Sequence, residues 1–169
     1  RKEFVSKKIL KADFVFEYVI RSVNLLYWNK RIAAMKKGKK MERYKVILVD
    51  DEAEVIDMIE KKIHWNDLGF EVAGSATNGV KALELVEKLQ PDVVLTDIKM
   101  PYMDGLELSR RLNREYPNIY IMLCTGFDEF EYAKEAVHLE IKEYMLKPVN
   151  ATELSESLTN LKHTLDRER

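Results

Sequence analysis

A single cysteine, Cys124, and three scattered histidines, His64, His138 and His163, are the only thiol and imidazole groups in this 169-residue chain. One cysteine excludes an internal disulfide, so nothing here asks for an oxidising compartment and the cytoplasm is the expected location. No basic residue adjoins Cys124 in the sequence, which favours a buried core residue over a redox centre. The histidines lack ligand spacing and read as structural or solvent-facing. Long hydrophobic runs are missing too. The apolar clusters FVFEYVI and LLYW are broken by Glu17, Arg21 and Asn24, and no small-residue cleavage site leads to a mature start. Both features argue against a transmembrane span or a signal peptide.

What is present is the composition of a soluble globular protein, 46% hydrophobic and 34% charged, long enough for one domain with a real core plus an appendage. The net charge of −1 conceals a division: residues 1 to 40 carry 12 Lys and Arg against 3 Asp and Glu, and the remainder 16 against 26. The chain changes character near Met41. Residues 1–40 therefore form a basic extension and residues 41–169 a separate domain. Three readings of the extension stand side by side. It is a basic amphipathic helix for a membrane surface or a partner, with Phe16, Val19, Val23 and Leu26 at helical spacing; or a packed extension of the domain; or non-native residues. The last reading rests on KKGKKM, which back-translates to a purine-rich tract before a start codon, as in a bacterial ribosome-binding site.

From Tyr44 onward, short apolar runs alternate with helical patterns. YKVILV (44 to 49), FEVAGSA (70 to 76), the run before Asp97, NIYIMLC (118 to 124) and EYML (143 to 146) read as strands. Helices are expected over 53 to 63, about 79 to 89, about 105 to 115, about 129 to 139, and from Asn150, where Glu153 completes a capping box. WNDLG, after the first helix, reads as a loop. Five strands alternating with five helices predict a doubly wound parallel α/β sheet.

The stretch VVLTDIKMP drives apolar residues into one carboxylate, Asp97, in a strand buried on both faces. A buried unpaired carboxylate costs several kcal/mol, on the order of its desolvation, so Asp97 needs a partner, a metal or a task. In an open parallel sheet the ligand crevice lies beyond the carboxyl ends of the strands. Those ends carry Asp50-Asp51-Glu52, Asp97, Thr125 and Lys147. Clustered carboxylates without His or Cys favour a hard cation such as Mg²⁺. A bound Mg²⁺ and Lys147 would offset charge on a transferring phosphoryl group and Thr125 would donate to it, leaving Asp97 as the nucleophile.

At VILVDDE, VVLTDIKMPYMDG, the threonine after the fourth strand and YMLKPV, the chain resembles the receiver domain of two-component response regulators, over roughly Tyr44 to Leu165. The resemblance implies a five-stranded, flavodoxin-like sheet of order 2-1-3-4-5. It implies that Asp97 takes a phosphoryl group from a sensor histidine kinase, with Mg²⁺ held by Asp50, Asp51, Asp97 and the backbone carbonyl of Lys99. Lys147 would contact the phosphoryl oxygens, Lys147-Pro148 would be cis, and Thr125 and Tyr144 would form the switch pair. IHWNDLGFEVAGSATNG and TGFDEFEYAKEAVHLEIKEYMLKPV look like the receivers that precede an AraC-type helix-turn-helix domain, as in YesN-like regulators. DNA would then be met only through an output domain absent from this chain, whose end LKHTLDRER leads toward a linker. The implied output surface, and route to a homodimer, is the helix over 129 to 139 with strand 143 to 146 and the last helix. One departure is Glu140, where the family commonly has glycine, so the loop before the fifth strand is in question.

Taken singly, Asp50 reads as a helix cap, Thr125 and Tyr144 as strand residues, Lys147-Pro148 as a turn, Gly105 as a flexible helix entry, and Met100 and Met103 as packing. Their common edge favours function. A signalling switch, not an enzyme with an external substrate, is the first reading. A Mg²⁺-dependent phosphohydrolase acting through an aspartyl phosphate is the second, though the short loops offer neither a second catalytic acid nor a covering insertion. A phosphorylation-independent interaction module is the third, and the intact set of acids, threonine and lysine argues against it.

Overall fold

The computed structural model of the protein describes residues 43–126, 139, 141 and 143–168. Five strands, β1 (Tyr44–Val49), β2 (Phe70–Ala76), β3 (Val93–Asp97), β4 (Tyr120–Thr125) and β5 (Glu143–Leu146), form one parallel sheet in the order β2-β1-β3-β4-β5. Every residue of β3 is buried, as expected of a central parallel strand covered on both faces.

Alternation along the strands sends side chains to two separate cores. Val46, Leu48, Val93, Leu95, Met122 and Met145 face one layer, closed by Ile56 and Ile59 of α1 (Ala53–Lys62) and by Leu154 and Leu158 of α5 (Ala151–Glu168). Ile47, Val49, Val94, Ile121 and Leu123 face the other, closed by Ala82 and Val86 of α3 (Gly79–Leu89) and by Leu108 and Leu112 of α4 (Gly105–Glu115). Each fully buried aliphatic side chain contributes about 1.5–3 kcal/mol, so the two layers rather than helix propensity hold these amphipathic helices in place. The chain reverses direction across the sheet between β1 and β3, and an open α/β sheet parts at its carboxyl edge at such a point.

The helix starts are fixed by short polar side chains. Asn78 Oδ1 accepts from Lys81 N at 3.0 Å, Asp104 Oδ1 from Glu107 N at 2.7 Å, and Asn150 Oδ1 from Thr152 N and Glu153 N at 2.8 and 3.3 Å.

Two local expectations are corrected. WNDLG is not a plain loop: Trp65–Leu68 forms a short helix, α2, ended by Gly69 in the left-handed region at φ 86°. Four residues show no helical period, but Trp65 buries its ring in the α1/α5 layer and its indole N–H donates to Glu60 O at 3.2 Å. The fourth strand starts at Tyr120 rather than Asn118, because Ile119 N is turned back onto Tyr116 O and the ladder opens with Tyr120 N on Asp92 O. It also runs one residue further, so Thr125 is its last residue. Of the helix expected over about 129 to 139 only Leu139, in a turn, is described; the rest of it, Glu140 and the extension over 1–40 fall outside the described residues.

Candidate functional site

Strand register brings the polar residues to one level. Val49 lies opposite Thr96, so Asp50 and Asp97 leave the sheet side by side. Asp97 lies opposite Cys124, and Thr125 opposite Leu146, which places Thr125 and Lys147 at the same edge. The backbone N–H of Lys147 donates to Thr125 O at 2.7 Å, which fixes where the lysine side chain starts, and Lys147-Pro148 is cis.

The partner that a buried Asp97 requires is Lys147. Its Nζ lies 2.8 Å from Asp50 Oδ2 and 3.0 Å from Asp97 Oδ1, bridging two carboxylates that are only 4% and 7% exposed. Asp50 also accepts from Glu52 N through Oδ1 at 2.9 Å, the polar anchor at the start of α1, where Glu52 itself supplies no side-chain cap. Among the described residues no buried side-chain nitrogen or oxygen lacks a hydrogen-bond partner.

The two members of the ion pair respond differently to burial. At Lys147 burial opposes the charge, but hydrogen bonds to Asp50 and Asp97 outweigh it and push the ammonium up to about 12. At Asp97 burial is the largest influence and raises its pKa; the hydrogen bond and charge of Lys147 pull it back only in part, and Asp50 adds repulsion. The mutual attraction is real on both sides. Burial simply wins at the carboxylate and loses at the ammonium, which holds two acids at once.

Asp50, Asp51 and Asp97 each present an oxygen, all within 4.8 Å of one another, and among the described residues this is where three potential metal ligands gather. Asp50 and Asp97 are buried and Asp51 is exposed. Three carboxylates against one ammonium leave a formal excess of two negative charges, which a divalent cation would balance. Oxygen-only donors, one of them open to solvent, fit Mg²⁺, which binds through few carboxylates and keeps waters. Lys99 lies two residues beyond Asp97, exposed between buried Ile98 and Met100.

The predicted switch residues share a face. Tyr144 lies opposite Leu123, two residues before Thr125 on the same side of β4, so the two form a diagonal pair of neighbouring strands. Thr125 is fully buried, with its Oγ1 donating to Gly126 O at 3.3 Å, and half-buried Tyr144 packs against the α3/α4 layer. Cys124 is a core residue: burial pushes its thiol up to about 12, far from reactive. His64 and His163 are exposed, and Met100 and Met103 are buried packing residues, as read from the sequence; His138 lies outside the described residues.

Two residues at this edge have roles that sequence reasoning missed. Gly105 is not merely a flexible entry to α4: a Cβ there would lie 2.1 Å from the carbonyl oxygen of Asp97, and its N–H donates to Ile98 O at 2.8 Å. Gly79 opens α3 against the same loop, its N–H donating to Met103 O at 3.1 Å. The only signal for either was a glycine at a helix start, one of several compatible readings.

The model of the response regulator receiver domain matches residues 46–159. The transcriptional regulatory protein YesN of Bacillus subtilis is 42% identical over 125 residues, 74% of this chain and 34% of that protein. HptR of Staphylococcus aureus, also a transcriptional regulatory protein, is 34% identical over 122 residues, 72% of this chain and 48% of HptR. The chain thus spans between a third and a half of the curated relatives it matches. Among solved structures, the REC domain of AraT, a response regulator from Geobacillus stearothermophilus, superposes with a TM-score of 0.71 at 39% identity, covering 74% of this chain and 97% of that one. A two-component transcriptional regulator AraC from Clostridium phytofermentans gives 0.68 at 31% identity, covering 73% and 96%.

Proposed function

The chain belongs to the response regulator receiver domain family, and from that premise we propose that it is a phosphorylation-controlled switch whose phosphoryl acceptor is Asp97. The observation that carries this reading is the buried Asp50–Lys147–Asp97 bridge at the carboxyl edge of the sheet, with Asp51 beside it.

Asp50, Asp51, Asp97 and the backbone carbonyl of Lys99 are the residues that would hold Mg²⁺. When bound, the cation supplies positive charge against the phosphoryl oxygens. Asp97 must react as the carboxylate, and Lys147 opposes the burial that favours its protonated form. A carboxylate oxygen of Asp97 attacks the phosphorus of a phosphohistidine, the P–N bond breaks, and the imidazole leaves with the electron pair and takes up a proton. The Lys147 ammonium, held charged by two acids, then exchanges one carboxylate oxygen for a phosphoryl oxygen. The Thr125 hydroxyl turns from Gly126 O toward the same group. Tyr144, on the same face, fills the space the threonine leaves, which turns a local charge event into a change of surface.

The phosphoryl donor in this reading is a sensor histidine kinase, and the chain meets it in the cytoplasm. The output in this reading is transcriptional, as the names of the transcriptional regulatory proteins YesN and HptR suggest, and it runs through a DNA-binding domain outside this segment. Among the described residues no helix is long and apolar enough to cross a membrane. A homodimer through the face of the helix expected over 129 to 139, β5 and α5 is the proposed route from switch to output. Residues 1–40 are proposed to lie outside the receiver domain, which starts near Met41.

The chemistry is tested by trapping. After exposure to a small phosphodonor with Mg²⁺, borohydride reduces an aspartyl phosphate to homoserine, and peptide sequencing should place that homoserine at position 97. Homoserine at another position would move the acceptor.

A further inference from the structure

The loop between Asp97 and α4, which carries Lys99, is tied down at three places. Its ends are joined by the Gly105 N–H on Ile98 O at 2.8 Å, and the ring is so tight that Gly105 has no room for a side chain beside Asp97 O. Ile98, Met100 and Met103 seat it in the α3/α4 layer, each less than a tenth exposed. The third tie comes from outside the loop. Gly79 N, the first amide of α3, donates to Met103 O at 3.1 Å.

That third tie has no slack. A Cβ on Gly79 would come within 2.6 Å of Met103 Cγ, 2.9 Å of Met103 Cβ and 2.9 Å of Met103 O. Met103 O is backbone, and Met103 Cβ and Cγ are the root of the side chain rather than its flexible tip, so a side chain at position 79 forces the helix start and the loop apart. The helix end is itself anchored, because buried Asn78 caps it through Lys81 N at 3.0 Å. Crowding at position 79 therefore acts directly on the seat of the loop at Met103.

We propose that Gly79 is a positioning residue for the cation site, holding the Asp97–Gly105 loop through Met103 so that the Lys99 carbonyl stays on the cation that Asp50, Asp51 and Asp97 bind. This rests on the metal assignment of the preceding section and adds a residue from a different strand-to-helix junction. Groups that orient ligands without touching the metal typically change its affinity by about 10- to 100-fold when removed.

The test is a Mg²⁺ titration of the isotope-labelled chain, followed by amide chemical shifts, on the parent, Gly79→Ala, Met103→Ala and Leu158→Ala. Leu158 is buried under α5 on the opposite face, so Leu158→Ala lowers stability without touching the loop. Gly79→Ala should weaken Mg²⁺ about tenfold. Met103→Ala, which unseats the loop without crowding α3, should weaken it in the same direction and decides the matter should Gly79→Ala not fold. Leu158→Ala should leave the affinity unchanged. Parent-like Mg²⁺ affinity in Gly79→Ala, an equal loss in Leu158→Ala, or no Mg²⁺ binding by the parent would each overturn the inference. A chain that binds Mg²⁺ with this dependence on Gly79 yet takes no phosphoryl group would keep the inference and reject the switch reading.

Discussion

Lys147 Nζ sits 3.0 Å from Asp97 Oδ1 in a site where both side chains are largely removed from water. The same ammonium reaches Asp50 Oδ2 at 2.8 Å, so one cation holds two acids together.

Lys147→Met removes that cation and leaves Asp50 and Asp97 facing one another. Breaking a buried pair on one side typically costs about 3–5 kcal/mol, and the solvent reach of this site puts the expected loss at pH 7 near the lower end, about 3 kcal/mol. Chemical denaturation should show a deficit that shrinks toward acid pH, because burial raises the Asp97 carboxyl and its protonation ends the repulsion. A deficit that grows on acidification would contradict this account.

The lysine also predicts an alkaline effect. Its pKa is raised from 10.5 to about 12 in the folded chain, so its share of stability is fully present below 10.5 and is lost as pH rises through about 12. Between those values the parent should lose more stability than Lys147→Met, as read by denaturation midpoints at matched pH. Parallel curves would show that the ion pair adds nothing.

Asp97→Asn should raise the melting temperature, by about a few degrees. The sign follows from burial: the folded state holds the Asp97 proton more firmly than the unfolded chain, so at neutral pH the ionised carboxylate costs stability, while Asp50 still partners Lys147. The gain should vanish at acid pH, below the unfolded-state pKa, where the parent is protonated in both states. Calorimetry across that range checks it.

Gly105→Ala should cost about 3 kcal/mol, at the upper end of overpacking, since the new methyl meets backbone at 2.1 Å. A change under about 0.5 kcal/mol in denaturant unfolding, the range of an ordinary surface substitution, would mean the loop yields freely.

The far end of α5 carries a separate prediction. Tyr44 Oη donates to Asp166 Oδ1 at 2.8 Å, Tyr120 Oη to Glu168 Oε2 at 2.7 Å, and Lys162 Nζ lies 5.1 Å over the Tyr44 ring. Tyr44→Phe keeps the ring and removes one hydrogen bond, so it should cost about 1 kcal/mol and speed amide exchange in the last turns of the helix. Unchanged exchange would show that the Tyr44 hydroxyl does not help to hold that end.

Most of the sheet was legible because central parallel strands are short apolar runs with turn residues between them, and the polar strand ends fell into line once the strands were parallel. Asp97 shows how far that logic reaches: a carboxylate closing a buried run announces a partner, and Lys147, fifty residues on, supplies it. Trp65–Leu68 escaped because a single helical turn has no period to read. Gly79 and Gly105 escaped for a different reason. Their roles depend on backbone brought close by the fold, Met103 O for one and Asp97 O for the other, and no local pattern encodes an approach made through space.

The most direct test of the central claim is the intact mass of the chain after incubation with a small phosphodonor, with and without Mg²⁺, beside Asp97→Asn. A single Mg²⁺-dependent phosphoryl adduct on the parent, absent from the variant, is the predicted result. An adduct that persists on Asp97→Asn, or a folded parent that takes up none, would contradict it.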